Sequence, residues 1–308
     1  MRGTREGRQE VKIVSNSTFI LVPMGGNEST HMVLALARRA AARLNATVRI
    51  LHVSETRLSP QALRDRLGLS DQAIQSCILE SAEGANIAEE IVAAAQRMRP
   101  RLVVLHAGRP APEVSDVTLR VLCHLDCPAL VVRPGLDLGA HDEGRWLRRI
   151  LVPLDSSPGS AEAVRRAADL AWRENAILDI LHIASSQGLP PSEPGSLPVG
   201  LYMDHPHYDL KSWSREFMRR FFHITVGTGD VPTPMLHLSS GDPAEEIIKF
   251  AERTGTDLIV SAWQGSLDEG RARIVRELLS RDNCQLLFLV IGRSAEPRPG
   301  NFGRTAAA

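Results

Sequence analysis

Cysteine is scarce. Four residues, Cys77, Cys123, Cys127 and Cys284, are spread over 308 positions. They lie in apolar surroundings or at strand entrances, so they do not frame a disulfide scaffold, and reduced thiols are expected. An excess of either charge is also lacking. Lys plus Arg and Asp plus Glu both number 36, which removes the electrostatic case for a nucleic-acid or strongly anionic partner. No apolar run reaches the roughly 18 residues of a membrane helix. Met1 to Glu10 is polar and charged, with no apolar targeting core, so the expected location is cytoplasmic. Neither a coiled-coil repeat nor a long low-complexity tract is present.

What is present is a repeated pattern. The length suits two domains, and 43% hydrophobic residues allow each a real core. Ile20-Leu21-Val22-Pro23 returns as Ile150-Leu151-Val152-Pro153, and Leu51-His52-Val53 as Leu181-His182-Ile183, both at an offset of 130. Glu89-Glu90-Ile91 returns as Glu245-Glu246-Ile247, and Leu102-Val103-Val104 as Leu258-Ile259-Val260, at an offset of 156. Four matches in order with one change of offset indicate two copies, the second carrying 26 extra residues between Ile183 and Glu245.

Each copy reads as strands alternating with helices. Ile20 to Pro23 is a short apolar run of the kind buried on both faces. Val33, Leu36, Ala37, Ala40, Ala41 and Leu44 follow at helical spacing. Thr47–Val53, Ile87–Met98, Arg101–Leu105, a helix through Val114 to Leu125, and Ala129–Val132 complete the first copy. In the second, the same roles fall to Ile150–Pro153, Ala161–Trp172, Ile177–Ile183, Ala244–Arg253, Asp257–Ser261, Ala272–Leu279 and Leu286–Ile291. This alternation predicts parallel sheets covered on both faces, with ligands at the carboxyl ends of the strands. The expected domains span 17–134 and 147–292, joined by a linker at 135–146. The second holds an insertion over about 184–238, and a disordered tail is expected at 293–308.

At this point the residues resemble the universal stress protein family. Ile150 to Pro153 with Leu154 and Asp155 is similar to the family's opening strand, and Leu181-His182-Ile183 to its second. Gly241-Asp242-Pro243 before Ala244-Glu245-Glu246-Ile247 resembles its helix entry. Asp257 to Val260 matches the strand before its phosphate loop, and Asp126-Cys127-Pro128 before Ala129 to Val132 its last strand. The resemblance implies two tandem Rossmann-like domains, each a five-stranded parallel sheet with helices on both faces. Local physics reads the Gly-Asp-Pro string as helix punctuation, with Asp242 as N-cap and Pro243 in the first helical position.

The resemblance also implies where a nucleotide would bind. ATP-binding members carry Gly-x-x-Gly, nine residues, then Gly-Ser or Gly-Thr. Such loops lack Cβ atoms, so backbone N–H groups wrap the phosphates. In the second copy these positions are Ala262, Gly265 and Val275-Arg276. Pro153 and Asp155 hold the end of the first strand and Ile183 the second. ATP or AMP therefore remains possible there, with Arg271, Arg273 and Arg276 as candidate phosphate contacts. In the first copy Gly25 replaces the aspartate, the loop Leu105 to Pro110 is short and proline-containing, and Ser115-Asp116 puts a carboxylate where phosphate would sit. No family-style ATP binding is expected there.

The insertion concentrates unusual chemistry. Tyr202 to Asp209 contains both tyrosines, and Trp213, Phe217, Phe221 and Phe222 follow at near-helical spacing. These read as a packed helix under a covering loop, or as a lid or partner-binding surface. Asp204, His205 and His207 offer metal-binding groups, but without helical ligand spacing. Cys123, His124 and Cys127 read as helix packing and a strand entrance. His52 and His182 recur at strand ends, as core histidines with backbone partners rather than as catalytic bases.

The functional expectation is a non-enzymatic, stress-associated binding and regulatory protein with an unidentified protein partner. An ATP or AMP sensor acting through the second domain is the alternative. A weaker one is an adenylating enzyme, because Met24-Gly25-Gly26-Asn27-Glu28-Ser29 faintly resembles the loop of ATP pyrophosphatases. The resemblance further implies that the two copies pair through Ala129–Val132 and Leu286–Val290 as an intrachain pseudo-dimer. A homodimer through Trp213–Phe222 is a further possibility.

Overall fold

The computed structural model describes residues 18–26, 30–107, 116–132, 147–154, 158–184, 234–262, 271–280 and 287–291. The first copy comprises β1 (Phe19–Pro23), α1 (Thr30–Leu44), β2 (Thr47–Ser54), α2 (Pro60–Leu67), α3 (Asp71–Ile74), β3 (Cys77–Glu83), α4 (Ile87–Met98), β4 (Leu102–His106), α5 (Asp116–His124) and β5 (Ala129–Val132). The second comprises β6 (Arg149–Leu154), α6 (Pro158–Glu174), β7 (Ile177–Ala184), β8 (Met235–Ser240), α7 (Pro243–Thr254), β9 (Leu258–Ala262), α8 (Arg271–Ser280) and β10 (Leu287–Ile291).

These strands form one sheet in the order β3-β2-β1-β4-β5-β10-β9-β6-β7-β8. Pairing is parallel within each copy and antiparallel at β5–β10, where Val132 faces Leu287 and Ala129 faces Val290. The central strands are nearly all apolar because both their faces are covered. Ile20, Leu21 and Val22 are fully buried, as are Ile150, Leu151 and Val152. One apolar layer joins Ile20, Val22, Ile150 and Val152 to α1, α2 and α6. The other joins Leu21, Leu51, Leu151 and Leu181 to α4, α5, α7 and α8. Both layers run through both copies. The helix ends follow local chemistry. Asp242 caps α7 by accepting from the backbone N–H of Ala244 and Glu245 at 3.1 Å, as its Gly-Asp-Pro string predicts. Gly255 closes α7 at φ +64°.

Two features extend the sequence reading. The edge strands β3 and β8 complete five strands per copy, and α2 and α3 fill the β2–β3 connection. The sheet also locates the extra chain more narrowly. β8 begins at Met235, inside the stretch 184–238, so the extra chain lies between Ala184 and Met235. Met235 pairs with Asp179 as Ile78 pairs with Arg49. The offset is therefore 157 at the edge strands against 130 at their neighbours, so 27 extra residues precede β8. One residue is then recovered in the loop before α7, which has one residue between Gly241 and Pro243 where the first copy has two between Gly84 and Ile87. The linker at 135–146, the tail at 293–308 and the aromatic run at 202–222 lie outside the described residues.

Candidate functional site at the carboxyl ends of the strands

Strand order reverses at β1, which lies between β2 and β4, and at β6, which lies between β7 and β9. Each reversal opens a crevice beyond the carboxyl ends of its strands. On the α1 and α6 face, three side chains floor each crevice. In the first copy they are His52 of β2, Met24 beyond β1 and His106 of β4. In the second they are His182 of β7, Leu154 of β6 and Ala262 of β9.

The two central histidines behave alike. His52 Nδ1 lies 2.8 Å from the Met24 carbonyl, and His182 Nδ1 lies 3.0 Å from that of Leu154. A carbonyl can only accept, so Nδ1–H donates in both. Both rings are buried, at 4% and 8% exposure. They are core histidines tying β1 to β2 and β6 to β7. The Nε2 atom of His182 is buried without a hydrogen-bond partner among the described residues.

The first copy carries more bulk at the carboxyl ends of its strands. His106 brings an imidazole where the second copy has only the Ala262 methyl, and burial pushes its pKa below the ordinary histidine value. Its carbonyl accepts from Thr118 Oγ1 at 2.8 Å, which ties α5 to the end of β4. Gly26 sits at φ +80° with its α-carbon against the carbonyl of Arg66, in the last turn of α2. A Cβ at Gly26 would overlap that oxygen. Ser59, which caps α2, and Gly68, which ends it at φ +62°, hold the helix in this position, with Leu63 and Leu67 buried beneath it.

Of the candidate nucleotide contacts, the structure brings Pro153, Ile183 and Ala262 to one edge of the sheet. Pro153 and Ile183 are half-buried toward α7 and α8, and Ala262 lies on the opposite face. Arg276 is exposed on α8, and Val275 beside it is buried, so that pair lies within the helix rather than in the loop before it. Asp155 and Gly265 lie outside the described residues. Arg273 is already engaged. It donates to Asp242 at 2.9 Å and to Glu277 at 2.7 Å. Backbone N–H donation from Glu245, then the Arg273 guanidinium, holds the Asp242 carboxyl below the usual range.

Other proposed sites resolve more simply. His124 Nδ1 lies 2.8 Å from the Arg120 carbonyl of its own helix. Burial, then neighbouring Asp126, pushes the Cys127 thiol up to about 11. Among the described residues no group of three or more His, Cys, Asp or Glu side chains gathers as metal ligands, and Asp204, His205 and His207 lie outside them. No helix among the described residues is long and apolar enough to cross a membrane.

Sequence reasoning missed a polar row on the α7 face. The Asp179 side chain, fully buried, accepts from Arg149 at 3.0 Å and from His237 Nε2 at 2.8 Å. The signal available was one acidic residue, Asp179, inside the largely apolar strand Ile177 to Ala184.

Comparison with known proteins decides the family. The profile of the universal stress protein family matches residues 18–133 and again 147–280. The chain belongs to the universal stress protein family. Universal stress protein A homolog 1 of Coxiella burnetii is 28% identical over 142 residues, 46% of this chain and 94% of that protein. Among solved structures, a universal stress protein from Archaeoglobus fulgidus aligns over 90% of this chain and 99% of its own, at 16% identity and TM-score 0.61. A Pseudomonas aeruginosa protein of unknown function aligns over 90% and 92%, at 15% identity and TM-score 0.59. At those identities the structures share the fold: this member of the family has two tandem α/β domains.

Proposed function

We propose that this tandem universal stress protein is a cytoplasmic, non-enzymatic binding and regulatory protein whose two halves have separate tasks. The first is a structural half, and the second holds the ligand-responsive crevice. One observation carries this division. The first copy carries the His106 imidazole at the end of β4 and a close approach of α2 to Gly26, whereas at the matching place on β9 the second has only Ala262. The Arg66 carbonyl against Gly26 also weighs against adenylating chemistry at Met24 to Ser29, because a carbonyl oxygen repels phosphate.

The departures from the family pattern at Ala262 and Val275-Arg276 argue against family-style ATP binding in the second half. Retention of Pro153 and Ile183 at the strand ends, with Asp155 next in sequence, favours the alternative of an ATP or AMP sensor. Calorimetric titration with ATP and AMP separates the two. No heat at millimolar nucleotide supports the ATP-independent reading. Micromolar binding that Asp155→Ala abolishes establishes the nucleotide sensor instead. The β5–β10 pairing supports a single pseudo-dimeric body within one chain. Small-angle scattering should then return one compact envelope, and two separated lobes would refute that reading.

A further inference from the structure

A chain made of two like halves has an assembly problem. β3 with α4 could seat on β7, and β8 with α7 on β2, without altering the topology of either sheet. Exchange of equivalent elements is a characteristic failure of tandem proteins. The apolar residues do not prevent it. Leu21 and Leu51 in the first copy and Leu151 and Leu181 in the second occupy equivalent places in the same layer.

The polar residues differ. In the first copy Leu21 faces Arg49 and Leu51 faces Glu80. Arg49 is bonded to Glu80 at 3.0 Å and lies over the Phe19 ring at 4.5 Å. In the second copy Leu151 faces Asp179 and Leu181 faces His237. Asp179 is bonded to Arg149 at 3.0 Å and to His237 at 2.8 Å. Position by position, Phe19 corresponds to Arg149, Arg49 to Asp179 and Glu80 to His237. The middle residue has changed sign, and both of its neighbours have changed to suit.

We propose that these two rows are a partner code that sorts the strands of one copy from those of the other during folding. Each row is satisfied only within its own copy. If β3 seated on β7, Glu80 would come beside the buried Asp179 carboxylate, which would also lose its imidazole donor. If β8 seated on β2, Arg49 would meet His237 and lose its carboxylate. Like charges on neighbouring strands oppose pairing. Asp179, fully buried, would keep Arg149 but lose one of its two donors, and a buried acceptor left short of a donor is costly. Discrimination of this kind rests on what the wrong pairing suffers.

The test is refolding of the full chain from urea, scored as the yield of monomer with the wild-type unfolding midpoint. One variant gives the first copy the second row: Phe19→Arg, Arg49→Asp and Glu80→His. Another gives the second copy the first row: Arg149→Phe, Asp179→Arg and His237→Glu. In each, both halves carry the same row and the code is erased. Misassembled and oligomeric product should rise about tenfold, which corresponds to about 1.4 kcal/mol of discrimination. The third variant carries all six changes, so the rows are exchanged but distinct, and it should refold with wild-type yield. Wild-type yield from the three-site variants overturns the proposal. So does failure of the six-site variant to recover, since the rows would then govern stability alone.

Discussion

Replacing Gly26 by alanine tests the close approach of α2 to the end of β1. Two penalties combine at that position. The residue sits at φ +80°, and holding a side chain in the left-handed region costs about 1–2 kcal/mol. The new methyl would also overlap the Arg66 carbonyl, a backbone atom that moves only with α2. Forcing an extra carbon into packed structure costs about 1–3 kcal/mol. The expected loss is therefore about 2–5 kcal/mol. A ceiling comes from α2 itself, because peeling it away exposes Leu63 and Leu67, at about 1.5–3 kcal/mol each. Gly25 is the control. A Cβ there meets nothing within 4 Å and its φ lies outside the left-handed region, so Gly25→Ala should stay within about 1 kcal/mol of wild type or gain slightly. Urea unfolding followed by far-ultraviolet circular dichroism compares the two. Trypsin cleavage at Arg64 and Arg66 should accelerate in the Gly26 variant alone. Equal behaviour of the two alanine variants would refute the reasoning.

Four further outcomes follow from the same geometry. Asp242→Ala should cost about 1 kcal/mol as a lost N-cap. Because the folded Asp242 pKa is lowered, its contribution is present above about pH 3.9 and lost as pH falls through the folded value. The gap between wild type and variant, measured by urea unfolding, should therefore close in acid. His106, whose pKa burial lowers, takes up its proton more readily in the unfolded chain. Stability should decline as pH drops below about 6.5, and a thermal-melt series on His106→Gln should show a shallower decline. Cys127, at about 11, should resist iodoacetamide at pH 8 in the folded protein and react on unfolding, read by peptide mass spectrometry. Asp179→Asn should destabilise by about 2–3 kcal/mol, because the fully buried carboxylate holds two donors. Glu80→Gln should cost no more than about 1 kcal/mol, since both members of its pair reach solvent. Chemical denaturation of both variants checks that order.

Much of the fold was legible because its core strands are short apolar runs and its helices have one apolar face. α4 over Ile87–Met98 and β5 over Ala129–Val132 match the sequence reading residue for residue. The edge strands were not legible. β3 and β8 are covered less completely, so Cys77–Glu83 and Met235–Ser240 mix polar and apolar residues without a buried run. α2 carried readable signals in Ser59, Pro60 and Gly68, but its approach to the end of β1 appears only where it meets Gly26. The repeated histidines could be read as core residues from their place in each copy. The exchange of His106 for Ala262 follows from the offset of 156, but the inverted polar rows required the strand register, which joins residues 30 to 58 positions apart.

The seam between the copies has a consequence for their divergence. In a dimer of identical chains every contact across the twofold axis occurs twice, so a substitution must be tolerated in both places. Here Arg43 of α1 meets the buried Glu174 carboxylate of α6 at 3.3 Å. The matching positions hold Leu44 and Arg173, which cannot make a second ion pair of that kind. Covalent fusion has freed the junction from symmetry, and each half can accumulate changes its twin never has to accept. The antiparallel seam also turns the two crevices toward opposite edges of the sheet. A substitution at one need not touch the other.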